Sequence, residues 1–136
     1  MAKDYQLRVA FGDTDAAGIV FYPNFYVWMD RAAHEFLLAI GLDPVDLFEN
    51  KKIAVPLLET HCSFRSPAKF HDIVRIRTTA VEGANKTFKL THDFYRGETL
   101  LASGYEVRAW VYFGDGQFKA VPIPDEVRAK LTGRGG

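Results

Sequence analysis

The chain has one cysteine, Cys62, in 136 residues. A single thiol allows no disulfide framework within the chain and excludes a zinc cluster built on paired cysteines. A surplus of charge is missing too. Seventeen basic side chains balance seventeen acidic ones, and the isoelectric point is near 6.9. No global field therefore draws the protein to nucleic acid or to an anionic membrane. No run of about eighteen apolar residues could span a bilayer. Neither G-x-G-x-x-G nor G-x-x-x-x-G-K-[ST] occurs, so both glycine-rich nucleotide cradles are absent. The four histidines, His34, His61, His71 and His92, share no metal-ligand spacing with one another or with Cys62, and no metal is expected. Repeats and low-complexity linkers are lacking. The start, Met1 to Tyr5, turns polar at once and does not resemble a signal peptide. The default expectation is a cytoplasmic protein.

What is present is a core. The chain is 48% hydrophobic, with eleven Phe, six Tyr and two Trp, and its length suits one domain spanning residues 1–136. Tyr5, Leu7, Val9 and Phe11 alternate and predict a half-buried strand over 5–11. Residues 12–23 read as a loop. From Asn24 the period changes: Phe25, Trp28, Met29, Ala32, Ala33, Phe36, Leu37 and Ile40 form one apolar stripe of a long helix. Asn24 is the expected N-cap and Gly41 the expected stop. Asp43 and Pro44 open a short second helix through Glu49. The rest is β in texture. Strands are expected over 53–65, bent near Pro56, then 72–81, 86–95 and 99–113, with a last short one near Phe118. Turns fall at 66–69, 82–85, 96–98 and 114–116. A terminal helix over 124–131 precedes a frayed tail from Thr132 to Gly136. One sheet wrapped around one helix buries the stripe economically. The run Arg108 to Phe113 is apolar on both sides, which predicts that a second copy covers part of the sheet.

Three places carry possible chemistry. Asp13 and Asp15 are ordinary turn-formers by type. However, Ala16, Ala17 and Gly18 let backbone approach a ligand closely, and a helix start follows. A carboxylate beside apolar walls and free helix N–H groups can act as nucleophile or general base, with those N–H groups polarising a carbonyl. Tyr26, Asp30 and His34 share a helix face, either as a solvated stripe with a mild Asp30–His34 attraction or with Asp30 meeting a substrate or a neighbouring subunit. Lys86 and Thr87 are surface residues by type, and their charge and hydroxyl suit a phosphate. Cys62, beside His61 on a strand, points to the opposite face and reads as a small buried side chain.

The run Phe11-Gly12-Asp13-Thr14-Asp15-Ala16-Ala17-Gly18-Ile19-Val20-Phe21-Tyr22-Pro23-Asn24, followed by Trp28, Asp30 and the helix to Gly41-Leu42, resembles the opening motif of the 4-hydroxybenzoyl-CoA thioesterase family. Weaker agreement continues through Pro56, Ser63-Phe64, Asp72 and Lys86-Thr87-Phe88. The resemblance implies an α+β hot-dog fold, an antiparallel sheet of five or six strands wrapped around one long helix. It implies homodimers with a continuous sheet, assembled into homotetramers. The implied activity is hydrolysis of acyl-CoA thioesters without a metal or cofactor, coenzyme A being part of the substrate. Asp15 matches the catalytic carboxylate, and the Tyr22 backbone N–H the donor to the thioester carbonyl. Gly18 and Asp30 match substrate-binding positions, with Asp30 at the hydroxyl end of an aromatic acyl group. Lys86 and Thr87 match coenzyme A-binding positions.

Two departures bear on substrate. Ala84 and Asn85 stand where the family's 4-hydroxybenzoyl enzyme has arginines, which implies either fewer phosphate contacts or contacts from elsewhere, such as Arg65 or Arg96. Tyr22 stands where the related Tol–Pal-associated thioesterases carry histidine, which favours an aromatic acyl group, and Asp30 favours a hydroxylated one, hydroxybenzoyl- or gentisyl-like. The rivals are a short-chain aliphatic acyl-CoA thioesterase, a non-catalytic acyl-CoA-binding protein, and a hot-dog hydratase, for which the opening motif lacks the required histidine.

Overall fold

The computed structural model describes residues 2–133. Five strands, β1 (Ala2–Arg8), β3 (Leu57–Phe64), β4 (Ile73–Val81), β5 (Thr87–Arg96) and β6 (Thr99–Ala109), form an antiparallel sheet in the order β1-β4-β5-β6-β3. Three two-residue strands, β2 (Ile53–Ala54), β7 (Val111–Tyr112) and β8 (Lys119–Ala120), make a second, smaller sheet. Helix α1 (Pro23–Ala39) lies on the large sheet, followed by α2 (Pro44–Lys51) and, near the end, α3 (Asp125–Thr132). No helix among the described residues is long and apolar enough to cross a membrane.

The apolar stripe fixes how α1 sits. Phe25, Trp28, Met29, Ala32, Ala33, Phe36 and Leu37 are all buried, each large one contributing roughly 1.5–3 kcal/mol. The helix stops at Gly41 as its sequence predicts. Gly41 takes φ +84°, its N–H reaches Leu38 O, and Leu42 N–H reaches Leu37 O at 2.8 Å. That double closure, with Leu37 and Leu42 both buried, is a Schellman ending. In α2 the side chain of Asp43 accepts from Val45 N–H, as an N-cap should.

Several boundaries differ from expectation. Phe11 does not continue β1; it enters a 3-10 turn, Phe11–Asp13, and is 78% exposed. The expected strand over 53–65 divides between the two sheets at Val55-Pro56, and the one over 99–113 divides at Trp110. This explains the two-sided apolar run: Trp110 and Val111 are buried because the chain changes sheets there. The outer face of the large sheet carries charged side chains where β1 meets β4. Arg75 and Arg77 flank Asp4 at 3.5 and 3.8 Å, and Arg75 lies over the Tyr95 ring. At the C-terminus, Thr132 ends α3, and residues 134–136 of the expected tail lie outside the described residues.

The inner face of β5 presents Phe88, Leu90, His92 and Phe94, all buried. Phe88 and Leu90 belong to one apolar cluster with Ala33, Phe36 and Trp110. Phe94 belongs to another with Phe25, Trp28 and Met29. His92 stands between them on the strand.

Candidate active site

The loop between β1 and α1 is held by its own backbone. The Asp13 carboxylate accepts Ala10 N–H at 2.8 Å. Its carbonyl accepts both Phe21 N–H and the Asn24 side-chain amide, each at 2.9 Å. Asp13 is therefore occupied in shaping the turn. Asn24 is not the N-cap: Tyr22 takes that place, with φ −55° and ψ −32°, and Pro23 is the first helical residue. Asn24 lies inside the helix with its side chain committed to Asp13. Among the described residues, the Tyr22 N–H has no hydrogen-bond partner, while Asn24 N–H and Phe25 N–H are satisfied within the first turn.

Asp15 heads a tight hairpin. Its N–H donates to Ile19 O, its carbonyl accepts Gly18 N–H, and its Oδ1 accepts Ala17 N–H, all at 2.9 Å. Gly18 closes the turn at φ +80°, a conformation that L side chains rarely adopt. Asp15 is exposed, and its second oxygen has no partner among the described residues. Val20 N–H donates to Ala68 O, which pins the hairpin to the chain before β4.

Beside this hairpin is an apolar cavity of about 330 Å³ lined by Ile19, Val20, Tyr22, Phe25, Phe64 and Arg65, among others. Phe64 sits edge-on to both Tyr22 and Phe25, with ring centres 6.3 and 5.2 Å apart. The volume suits a small organic group. Asp15 is outside the lining, four residues before Ile19. Arg65 shows no side-chain partner among the described residues. Arg96, the other cation considered for phosphate, is engaged by Asp72 at 2.9 Å and Pro67 O at 3.0 Å.

Lys86 and Thr87 lie elsewhere. The turn before them is fastened to α3: Arg128 donates to Ala84 O and Asn85 O, and Ile123 N–H to Asn85 O. The Thr87 hydroxyl already accepts Ala84 N–H. From Thr87 to Phe94, whose ring touches Phe25, β5 runs roughly 23 Å at about 3.3 Å per residue. One chain thus holds Asp15 and Lys86 at opposite ends of its sheet.

Asp30 does not pair with His34. Its Oδ1 accepts from Arg108 Nη2 at 2.9 Å, and the same nitrogen donates to Glu106 Oε2 at 3.0 Å. Glu106 Oε1 faces His92 Nε2 at 2.9 Å, and His92 Nδ1 faces the Thr78 hydroxyl at 2.7 Å. Burial alone would raise the Glu106 carboxyl, but the hydrogen bond from His92 and the Arg108 charge outweigh it, and the net shift is downward. Sequence reading missed Glu106 and Arg108. The available signal was His92 on the apolar side of an alternating strand, where a buried ring nitrogen needs a partner. Cys62 is buried, and burial pushes its thiol up to about 11, so it is no nucleophile at neutral pH. No group of three or more His, Cys, Asp or Glu among the described residues could hold a metal ion.

A family model described as the thioesterase-like superfamily matches residues 9–131. The chain belongs to that superfamily. Its fold is the α+β hot-dog fold of these thioesterases. A solved gentisyl-coenzyme A thioesterase is 46% identical, covering 95% of this chain and 98% of that one, with a TM-score of 0.82. A solved aspartate-to-asparagine mutant of 4-hydroxybenzoyl-CoA thioesterase, complexed with 4-hydroxybenzoyl-CoA, is 26% identical, covering 96% and 99%, with a TM-score of 0.86. A 1,4-dihydroxy-2-naphthoyl-CoA hydrolase from Thermosynechococcus vestitus is 31% identical over 130 residues, 95% of this chain and 88% of that protein.

Proposed function

We propose that this hot-dog acyl-CoA thioesterase hydrolyses aromatic, ring-hydroxylated acyl-CoA thioesters through Asp15. The observation that carries the reading is the unpartnered Tyr22 N–H at the start of α1, next to an apolar cavity and a hairpin that presents a free carboxylate oxygen. The N–H donates to the thioester oxygen as negative charge develops there. Asp15 then acts in one of two ways. It attacks the carbonyl carbon and expels the coenzyme A thiolate, leaving a mixed anhydride that water opens. Alternatively, it takes a proton from a water that attacks directly. Neither route uses a metal or a cofactor. Gly18 keeps the hairpin close to the substrate, and Asp30 receives the ring hydroxyl. The relatives named for gentisyl, 4-hydroxybenzoyl and dihydroxynaphthoyl thioesters support this substrate class.

The test is release of free coenzyme A from a panel of gentisyl-, 4-hydroxybenzoyl-, benzoyl-, phenylacetyl- and short aliphatic acyl-CoA. The hydroxylated aromatics are expected to lead the aliphatics in kcat/KM by more than about tenfold, a difference of about 1.4 kcal/mol. Aliphatic substrates equal to or better than aromatic ones would refute the substrate class.

Lys86 and Thr87 then grip coenzyme A at a site completed by another copy, since their own Asp15 is a sheet-length away. Strand β3 supports that assembly. It is an edge strand eight residues long, with Leu58 and Phe64 exposed, the kind of edge that another chain can extend. Light scattering at micromolar concentration is expected to give the mass of a dimer or tetramer. A stable monomer would rule the assembly out.

A further inference from the structure

Arg108 ties three parts of the fold together. Its Nη1 donates to Val55 O at 3.0 Å, in the connection before β3. Its Nη2 reaches Glu106 on β6 and Asp30 on α1. The guanidinium is only 12% exposed, whereas Asp30 is 72% exposed. Behind it the chain of contacts runs through Glu106, His92 and Thr78, all at most 2% exposed.

Stability does not account for this arrangement. A buried ion pair rarely outperforms apolar side chains of similar volume, and apolar clusters lie on both sides of His92. The Arg108 Nε is also buried without a partner among the described residues, which costs on the order of 1–3 kcal/mol. What the network does achieve is placement. An exposed carboxylate on a helix ordinarily moves among rotamers and gains little from an ion pair. Asp30 is instead tied through Oδ1 to a guanidinium that Val55 O and Glu106 also hold, and Oδ2 has no partner among the described residues.

Charge defines what Oδ2 can take. One guanidinium is shared by two carboxylates, so the Asp30–Arg108–Glu106 set stays net negative. It suits a hydrogen-bond donor and disfavours an anion.

We propose that Arg108, braced by Glu106 and His92, is a positioning residue that aims Asp30 at a hydroxyl on the acyl ring and so sets the preference for hydroxylated over unsubstituted aromatic thioesters. This rests on the thioesterase reading above, and benzoyl-CoA separates the two. The quantity to measure is the ratio of kcat/KM for 4-hydroxybenzoyl-CoA over benzoyl-CoA. In the wild-type protein the ratio is expected to exceed about tenfold, the discrimination of one well-placed hydrogen bond. Arg108→Met is expected to lower it by most of that factor, and Asp30→Asn by a similar factor. The double variant should fall no further than either single one, because both remove the same interaction. If Arg108→Met does not fold, Glu106→Gln combined with Arg108→Met removes both charges of the buried pair and carries the same expectation. Equal losses on both thioesters, with the ratio intact, would overturn the proposal and mark Arg108 as merely structural. A wild-type ratio near one would overturn it too, while leaving thioester hydrolysis standing. No turnover of either substrate would remove both.

Discussion

Asp15→Asn is expected to lower kcat for thioester hydrolysis by roughly 10²–10⁴-fold, the usual contribution of a positioned general base or its equivalent, or about 3 to 5 kcal/mol. The substitution is close to a single-atom test. Asparagine keeps a carbonyl oxygen that can accept Ala17 N–H in place of Oδ1, so the hairpin is retained. Asp15 is exposed and makes no ion pair among the described residues, so the melting temperature should hardly move. KM should change little if the group acts only on the reacting carbonyl. Steady-state release of coenzyme A, followed with a thiol reagent, measures the effect. Turnover close to wild type on a good substrate would sink the assignment of Asp15.

The second large effect concerns a group that no side-chain substitution removes. Tyr22→Pro deletes one N–H and little else of the backbone. The native φ of −55° lies within the proline range of about −65 ± 15°, and the deleted N–H makes no internal hydrogen bond. Loss of an oxyanion donor costs roughly 10²–10³-fold in kcat. Tyr22→Ala is the control. It keeps the N–H and removes the ring that packs on Phe21 and Phe64, so its loss should be smaller and fall more on KM. If alanine and proline were equally damaging, the ring and not the amide would be the active element.

Helix α1 was legible in the sequence because its physics is local. Eight apolar positions at a period near 3.6 admit one amphipathic helix, and Gly41 ends it with a pair of backbone bonds that need no distant partner. The loop over 12–23 was legible too, but not the tight hairpin that Asp15 heads within it. The cap at Asn24 was not. A side-chain amide can cap its own helix or bond to a carbonyl eleven residues away, and the loop made the second available. The sheet changes at Val55-Pro56 and at Trp110 were hidden for a different reason. A strand buried on both faces and a strand that leaves one sheet for another have the same apolar texture. The partner of Asp30 was further still from view. Spacing suggested His34, four residues on, whereas the structure supplies Arg108 from 78 residues away. Only the pairing of β3, β5 and β6 determines which inward-facing side chains come within reach of the helix.

The length of β5 also bears on how such a protein can diversify. The carboxylate hairpin, the Asp30–Arg108 pair, and the turn at Lys86 that Arg128 of α3 fastens down occupy separate stretches of chain. The hairpin lies a strand's length from the Lys86 turn, whereas Arg108 and that turn are neighbours: Arg108 pairs with Phe88, and Trp110 N–H bonds Lys86 O at 2.9 Å. Substitutions at Arg108 or Asp30 can retune which ring is accepted without disturbing the turn that presents Asp15. On the proposed function, substitutions between Glu82 and Lys86 can alter the hold on the nucleotide end without reshaping the cavity beside Ile19 and Val20. Substrate range can thus drift while the bond-breaking apparatus is inherited intact.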